Sequence, residues 1–354
     1  MRSFNLAENT ITGSDMMTEQ INIDSTKSAR KVFSKIGLGL VIFTLLSNVV
    51  AVVSADLVVK FIPFSWLQKY SMLISLGISL VAMYFIALPL CTLFWRKMEK
   101  SKPQNNKFSL FSGFKVFSIA IFLSVISQII SSMIQSVLAN TVGTTFTQDT
   151  VDMIVQMKWY EAAIPTVVIF PFFEELLFRK LIIDRTKMYG EKLSIAFSAL
   201  LFAFFHCSID QFFYTFALGL LLGYVYVNTG KLKLCWLLHA LFNLWGSIIP
   251  LLILQGIDYE YITEIAMSEE LILSMKEMIK LYISSSVIII YEMFHLAFVV
   301  FGGIFCWKLK HKNVRFSPAE KPLPKDSEGM VAFVNVGVIL CVAVSVITIL
   351  LSAV

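Results

Sequence analysis

The chain is short of charge. Only 15% of its 354 residues are Asp, Glu, Lys or Arg, against 57% hydrophobic residues and a mean hydropathy of +0.77. Soluble domains carry about 25% charged residues, so an ordinary soluble globular domain is excluded. Cysteine pairs are also missing. Cys91, Cys207, Cys235, Cys306 and Cys341 are scattered with no CxxC, which leaves neither a zinc ribbon nor a thioredoxin-type motif supported; single buried cysteines act as small hydrophobes. There is no HExxH: the sites read His206-Cys-Ser-Ile-Asp210, His239-Ala-Leu-Phe-Asn243 and His295-Leu-Ala-Phe-Val299, which excludes the soluble zincin helix. No internal repeat is visible, which weighs against a secondary transporter built from inverted repeats. A cleavable signal peptide is not evident either, so the first apolar run is expected to act as a signal anchor. The last residues, Leu-Ser-Ala-Val, put no cysteine four from the end, so the chain is not expected to be a prenylation substrate itself.

What is present in abundance is apolar sequence in runs of about 20 residues, the length of a membrane crossing. The expected fold is an all-α polytopic membrane helical bundle of about eight to nine transmembrane helices. The runs fall near 36–60, 71–95, 113–138, 161–183, 193–208, 210–228, 232–254, 282–307 and 331–354. The expected organisation is a polar cytoplasmic N-terminal segment over 1–35, a bundle over 36–307, a cytoplasmic linker over 308–330 and an appended C-terminal anchor over 331–354. The net charge of +5 points to no nucleic-acid partner, because the basic residues flank the spans. Lys27, Arg30, Lys31 and Lys35 precede the first run; Arg96 to Lys107, Arg179 to Lys192, Lys231 with Lys233, and Lys308 to Arg315 follow alternate later ones. The intervening loops 139–160 and 255–281 carry Asp149, Asp152, Asp258, Glu260, Glu264, Glu269 and Glu270. The positive-inside rule then makes the N-terminus cytoplasmic. The Ile-, Lys- and Phe-rich composition favours a bacterial plasma membrane.

Against this background the stretch Pro171-Phe-Phe-Glu174-Glu175-Leu-Leu-Phe-Arg179-Lys180 is an anomaly. An ionised side chain in hydrocarbon costs roughly 2.5–3.5 kcal/mol on insertion scales, so such residues face a bundle interior and mark function. Residues four apart share a helix face, which lets Glu175 pair with Arg179. Glu174 is rotated by about 100° from its neighbour and faces elsewhere. Pro165 and Pro171 free backbone carbonyls and predict a kink. The same spacing puts Phe202 with His206, and His239 with Asn243, on common faces. A His–Asn pair directed into a bundle can bind a developing oxyanion. Glu174, His206 and His239 are also a two-histidine, one-carboxylate zinc set, to be assembled from separate helices.

In this order, Glu174-Glu175-Leu-Leu-Phe-Arg179, Phe202-Ala-Phe-Phe-His206 and His239-Ala-Leu-Phe-Asn243 resemble the EExxxR, FxxxH and HxxxN motifs of the CPBP family of CAAX proteases and bacteriocin-processing enzymes, also called Abi. That family includes type II CAAX prenyl endopeptidases and lysostaphin-resistance-protein-A-like proteins. The resemblance covers roughly residues 160–250. It implies an intramembrane endopeptidase in which Glu174 and His206 activate the attacking water, and His239 and Asn243 stabilise the oxyanion, with Glu175 and Arg179 in support. It leaves the cofactor open between none and Zn2+, because family members have been read both as metalloproteases and as glutamate proteases. Burial makes a carboxylate a better base, whereas zinc lowers the pKa of bound water. The implied partners are the lipid bilayer and a membrane-associated or lipidated substrate, such as a peptide pheromone, a bacteriocin leader or a prenylated C-terminus. The competing reading is a non-catalytic immunity or scaffold protein.

Three further features stand outside the motifs. Glu292 and His295 form an intramembrane i, i+3 pair, read as structural or pathway-lining; a di-metal bundle would need two such pairs. Asp210 lies one turn past His206 and is a candidate to orient it. Counting along the expected spans puts Glu174 and His239 nearer the cytoplasmic side and His206 late in an outward span, a mismatch of depth that tilted or broken helices would remove.

Overall fold

The computed structural model describes residues 13–143, 156–256, 275–311 and 316–351. The acidic loop residues Asp149, Asp152, Asp258, Glu260, Glu264, Glu269 and Glu270 lie outside them, as does Arg315. The described residues are helical, with no strand among them. We number the helices α1 (Gly13–Phe61), α2 (Phe64–Trp95), α3 (Leu110–Val142), α4 (159–189), α5 (Glu191–Phe205), α6 (Ile209–Thr229), α7 (Leu232–Gly256), α8 (Met275–Lys310), α9 (Glu328–Phe333) and α10 (Val336–Leu351).

The breaks between helices have local causes. Pro63 has no N–H with which to prolong α1. The hydroxyl of Ser109 caps α3 by accepting from Ser112 N at 3.1 Å. The α4–α5 junction turns at Gly190, whose φ of 138° is open to few other residues.

Six helices among the described residues are long and apolar enough to cross a membrane: α1, α2, α3, α6, α7 and α8. The larger count expected from sequence included α4, α5 and α10, and these differ. Over 159–189, α4 is one rod interrupted by wider π-helical turns at Ile164–Ile169 and Leu176–Ile183. At 15 residues, α5 is about 22 Å long, short of a full crossing. The C-terminal segment is built in rather than appended. Val331, Ala332, Val338 and Cys341 belong to the same buried core as Phe33, Phe178 and Phe197.

One end of the bundle is knitted together by its loops. Ser101 N donates to Asp184 O at 2.6 Å, Gln104 N to Val227 O at 2.8 Å, and Lys321 N to Met188 O at 2.8 Å. Lys187 Nζ reaches Lys102 O at 2.7 Å, and Ser317 N reaches Glu191 Oε2 at 2.8 Å. Four basic loops therefore meet at one end, and the linker before α9 is strapped across it, with Leu323 buried. From this end α4 and α5 run as an antiparallel pair, so Glu174 and His206 both lie about 20 Å in, counted at 1.5 Å per residue from Lys187 and Glu191. That pairing removes the mismatch of depth expected between these two residues. Further in, α5 meets α6 closely: a Cβ on Gly219 would stand 2.9 Å from Ala199 Cα.

Candidate active site

The π-helical turns of α4 decide where its charges point. Phe170 N bonds Pro165 O, five residues back, so the register at Thr166 calls for an N–H from residue 171, which is Pro171. The carbonyl thus freed is taken by α7, whose Asn243 Nδ2 donates to Thr166 O at 2.9 Å. Trp236 Nε1 donates to Val168 O at 3.0 Å in the same way. The kink expected from the two prolines is therefore a widened helix clamped along α7.

That clamp brings His239 against the glutamates. Glu175 is wholly buried and bound on two sides. Arg179 Nε donates to its Oε2 at 2.8 Å and Nη2 to Oε1 at 3.3 Å, which is the i, i+4 pair expected from the sequence. His239 Nδ1 lies 3.0 Å from Oε1. Arg179 is fixed in turn by Ser198 Oγ at 3.2 Å and by the Phe202 ring, 5.2 Å from Cζ. Phe202 is wedged edge-on between the two histidines, its ring 4.9 Å from that of His206 and 5.9 Å from that of His239.

Glu174 points the other way, as the 100° rotation requires. Its carboxylate borders a cavity of about 340 Å³ that is also lined by His206, His239 and Asn243. Its Oε2 is 3.7 Å from His239 Nε2, beyond direct hydrogen bonding. All four motif residues expected to act on substrate thus share one chamber, while Glu175 and Arg179 lie behind it. His206 Nε2 is buried there with no hydrogen-bond partner among the described residues.

Tyr84 of α2 borders the same cavity, stacked on Phe173 at 4.4 Å, and its hydroxyl is likewise buried and unpartnered. Sequence reasoning did not find it, because a lone tyrosine in an apolar run gives no signal. Gln211, Tyr214 and Ser247 also line the chamber; the i, i+3 spacing of Gln211 and Tyr214 next to His206 was the only available hint.

One expectation changes. Asp210 does not orient His206; it accepts from Gln135 of α3. His295 faces a neighbouring cavity of about 650 Å³, which shares Tyr214, Asn243 and Ser247 with the first. It accepts from Trp245 Nε1 at 3.3 Å, beside Tyr291, whose hydroxyl donates to Trp245 O at 3.1 Å. Its companion Glu292 is exposed on the outer face of α8.

Among the described residues no group of three His, Cys, Asp or Glu is spaced to hold a metal ion. Glu174 Oε2 and His239 Nε2, 3.7 Å apart, stand near the separation of two ligands of one tetrahedral zinc; His206 lines the same cavity.

No curated protein and no solved structure matches the chain. Residues 157–245 match the family model of type II CAAX prenyl endopeptidases, Rce1-like, a stretch that runs from just before α4 to just past Asn243 on α7. The segment that supplies Glu174, His206, His239 and Asn243 is therefore similar to type II CAAX prenyl endopeptidases, the family whose motifs it resembles.

Proposed function

We propose that the protein is an intramembrane endopeptidase that hydrolyses a peptide bond of a membrane-associated or lipidated peptide or protein. The observation that carries this reading is the single buried chamber bordered by Glu174, His206, His239 and Asn243. Polar groups at such depth are costly unless they serve a reaction or each other, and two of the chamber's polar atoms, His206 Nε2 and Tyr84 Oη, have no hydrogen-bond partner among the described residues.

The chemistry follows from the charges. Glu174 and Glu175 face one arginine, so the buried cluster is neutral only with one further proton, held by Glu174 or by His239 Nε2. With that proton on His239, Glu174 is a free carboxylate able to take a proton from water, and His206 Nε2 accepts from or orients the same water. Attack on the substrate carbonyl places negative charge on its oxygen. The imidazolium Nε2–H of His239 and the second amide N–H of Asn243, the first being held by Thr166 O, then act as donors. Collapse of the tetrahedral intermediate returns the proton from Glu174 to the leaving amine. Glu175 sets His239 by taking its Nδ1–H, and Arg179 keeps Glu175 ionised.

The neighbouring cavity past Asn243 gives room for chain on one side of the cleaved bond. The basic loops at one end favour an N-terminus in the cytoplasm, and composition favours a bacterial plasma membrane. Peptide pheromones, bacteriocin leaders and prenylated C-termini are the substrate classes to offer. The test is cleavage of such peptides by the purified protein, compared with Glu174→Ala and His239→Ala. Loss of product in both variants supports the assignment, and equal turnover overturns it.

A further inference from the structure

At the basic end, the first turn of α10 is pressed against α1. A Cβ on Gly337 would lie 1.8 Å from Ser34 O, and one on Gly37 would lie 2.4 Å from Gly337 C. Only glycine permits this crossing, and Gly337 N adds a hydrogen bond to Ser34 Oγ at 3.0 Å. Beside this crossing lies a cleft of about 570 Å³. Lys27, Arg30, Lys31 and Lys35 line it, with no carboxylate among its walls. None of the four makes an ion pair among the described residues; Lys35 Nζ lies 5.0 Å from the centre of the Phe94 ring.

Orientation of the chain in a membrane asks only for a number of basic residues on one side. It does not ask for a cleft, nor for what the cleft holds besides charge. The 16-residue α10 starts in it, with the positive end of its dipole directed at whatever occupies the space. Asn335 takes part of that first turn, its Oδ1 accepting from Val338 N at 3.1 Å. Below the basic rim the wall turns apolar, through Leu38, Val336 and Ile339. Val336 and Ile339 are 67% and 53% exposed, on the outward side of α10.

We propose that this cleft binds an anionic glycerophospholipid, its phosphate among Arg30, Lys31 and Lys27 and an acyl chain along Val336 and Ile339. A ligand with a negative head and an apolar tail matches both halves of the cleft, whereas a free anion leaves the apolar half uncovered. Basic pockets between transmembrane helices take such headgroups. Because α10 shares its core with Phe33 and Phe197, the bound lipid tightens the α1–α10 pair. The site is separate from the proposed catalytic chamber and does not depend on it.

The test is native mass spectrometry and thermal unfolding of the full chain in nanodiscs of phosphatidylcholine, titrated with phosphatidylglycerol. Wild type retains one anionic lipid per chain and unfolds at a higher temperature with it. Arg30→Gln/Lys31→Gln weakens retention about twenty-five-fold, two charges at about fivefold each. Lys97→Gln/Lys100→Gln removes the same charge from the same end outside the cleft and leaves retention unchanged. Equal loss in the two double variants overturns the proposal in favour of diffuse attraction. The same stabilisation by inorganic phosphate overturns the lipid as ligand. Retention of phosphatidylcholine as tight as phosphatidylglycerol overturns the role of the basic rim.

Discussion

His239 is held between two adjacent glutamates, with Nδ1 3.0 Å from Glu175 Oε1 and Nε2 3.7 Å from Glu174 Oε2. The two carboxylates are neighbours in sequence and differ in every other respect. Glu175 is tied to Arg179 and wholly enclosed, whereas Glu174 borders the chamber and has no direct hydrogen bond among the described residues.

Their substitutions should therefore separate activity from stability. Glu174→Gln is expected to lower turnover by about 10²–10⁴-fold, the scale of a lost general base, with little change in thermal unfolding in detergent. Arg179→Ala leaves Glu175 buried and uncompensated, and should destabilise the protein by about 3–5 kcal/mol. Equal unfolding temperatures for the two variants would contradict the division of labour.

Tyr84 tests the chamber from outside the family segment. Its hydroxyl is buried without a hydrogen-bond partner among the described residues, so Tyr84→Phe removes a desolvated polar atom and breaks no hydrogen bond among them. The expected result is an unchanged or slightly raised unfolding temperature and a fall in kcat, up to the 10²–10³-fold typical of a lost oxyanion donor. A wild-type kcat would remove Tyr84 from the reaction.

What the sequence made legible was local. Helical spacing sufficed to pair Glu175 with Arg179, to turn Glu174 away and to put His239 and Asn243 on one face. What it hid was tertiary. Nothing in HxxxN says that His239 Nδ1 binds Glu175, because that contact depends on how far α7 rides along a widened α4. The two prolines announced a break, but not that it would be π-helical or that Asn243 would take the freed carbonyl. Residues 331–354 read as an appended anchor because apolar residues look alike whether they face lipid or core; the shared core with Phe33 and Phe197 and the Gly37–Gly337 crossing distinguish the two. Asp210 looked like a partner for His206 by helical spacing, but the chain breaks at Cys207, with φ 47°, and carries the carboxylate to Gln135.

The clamp between Asn243 and Thr166 O makes its own prediction. Asn243→Ala leaves a carbonyl unpaired, at a cost of about 1–3 kcal/mol, and also removes a donor from the chamber. Pro171→Ala restores the N–H that α4 lacks, so the helix can satisfy Thr166 O itself. In that background Asn243→Ala should cost measurably less stability while still lowering turnover. A double-mutant cycle by thermal unfolding reads the coupling; additive effects would mean that the proline does not create the need for Asn243.

Metal dependence is the sharpest open test of the chemistry. A zinc ion needs its nitrogen and oxygen ligands at about 2.0–2.2 Å around one point, and no three candidate ligands among the described residues are spaced to provide that. Turnover is therefore expected to survive prolonged treatment with a strong chelator, and added zinc should not raise it. The control is Glu174→Gln, whose lowered turnover should be the same under every condition. If the chelator abolishes wild-type activity and zinc restores it, the side chains must close around a metal in the working enzyme. The neutral proton-sharing pair of Glu174 and His239 would then be the resting arrangement and not the catalytic one.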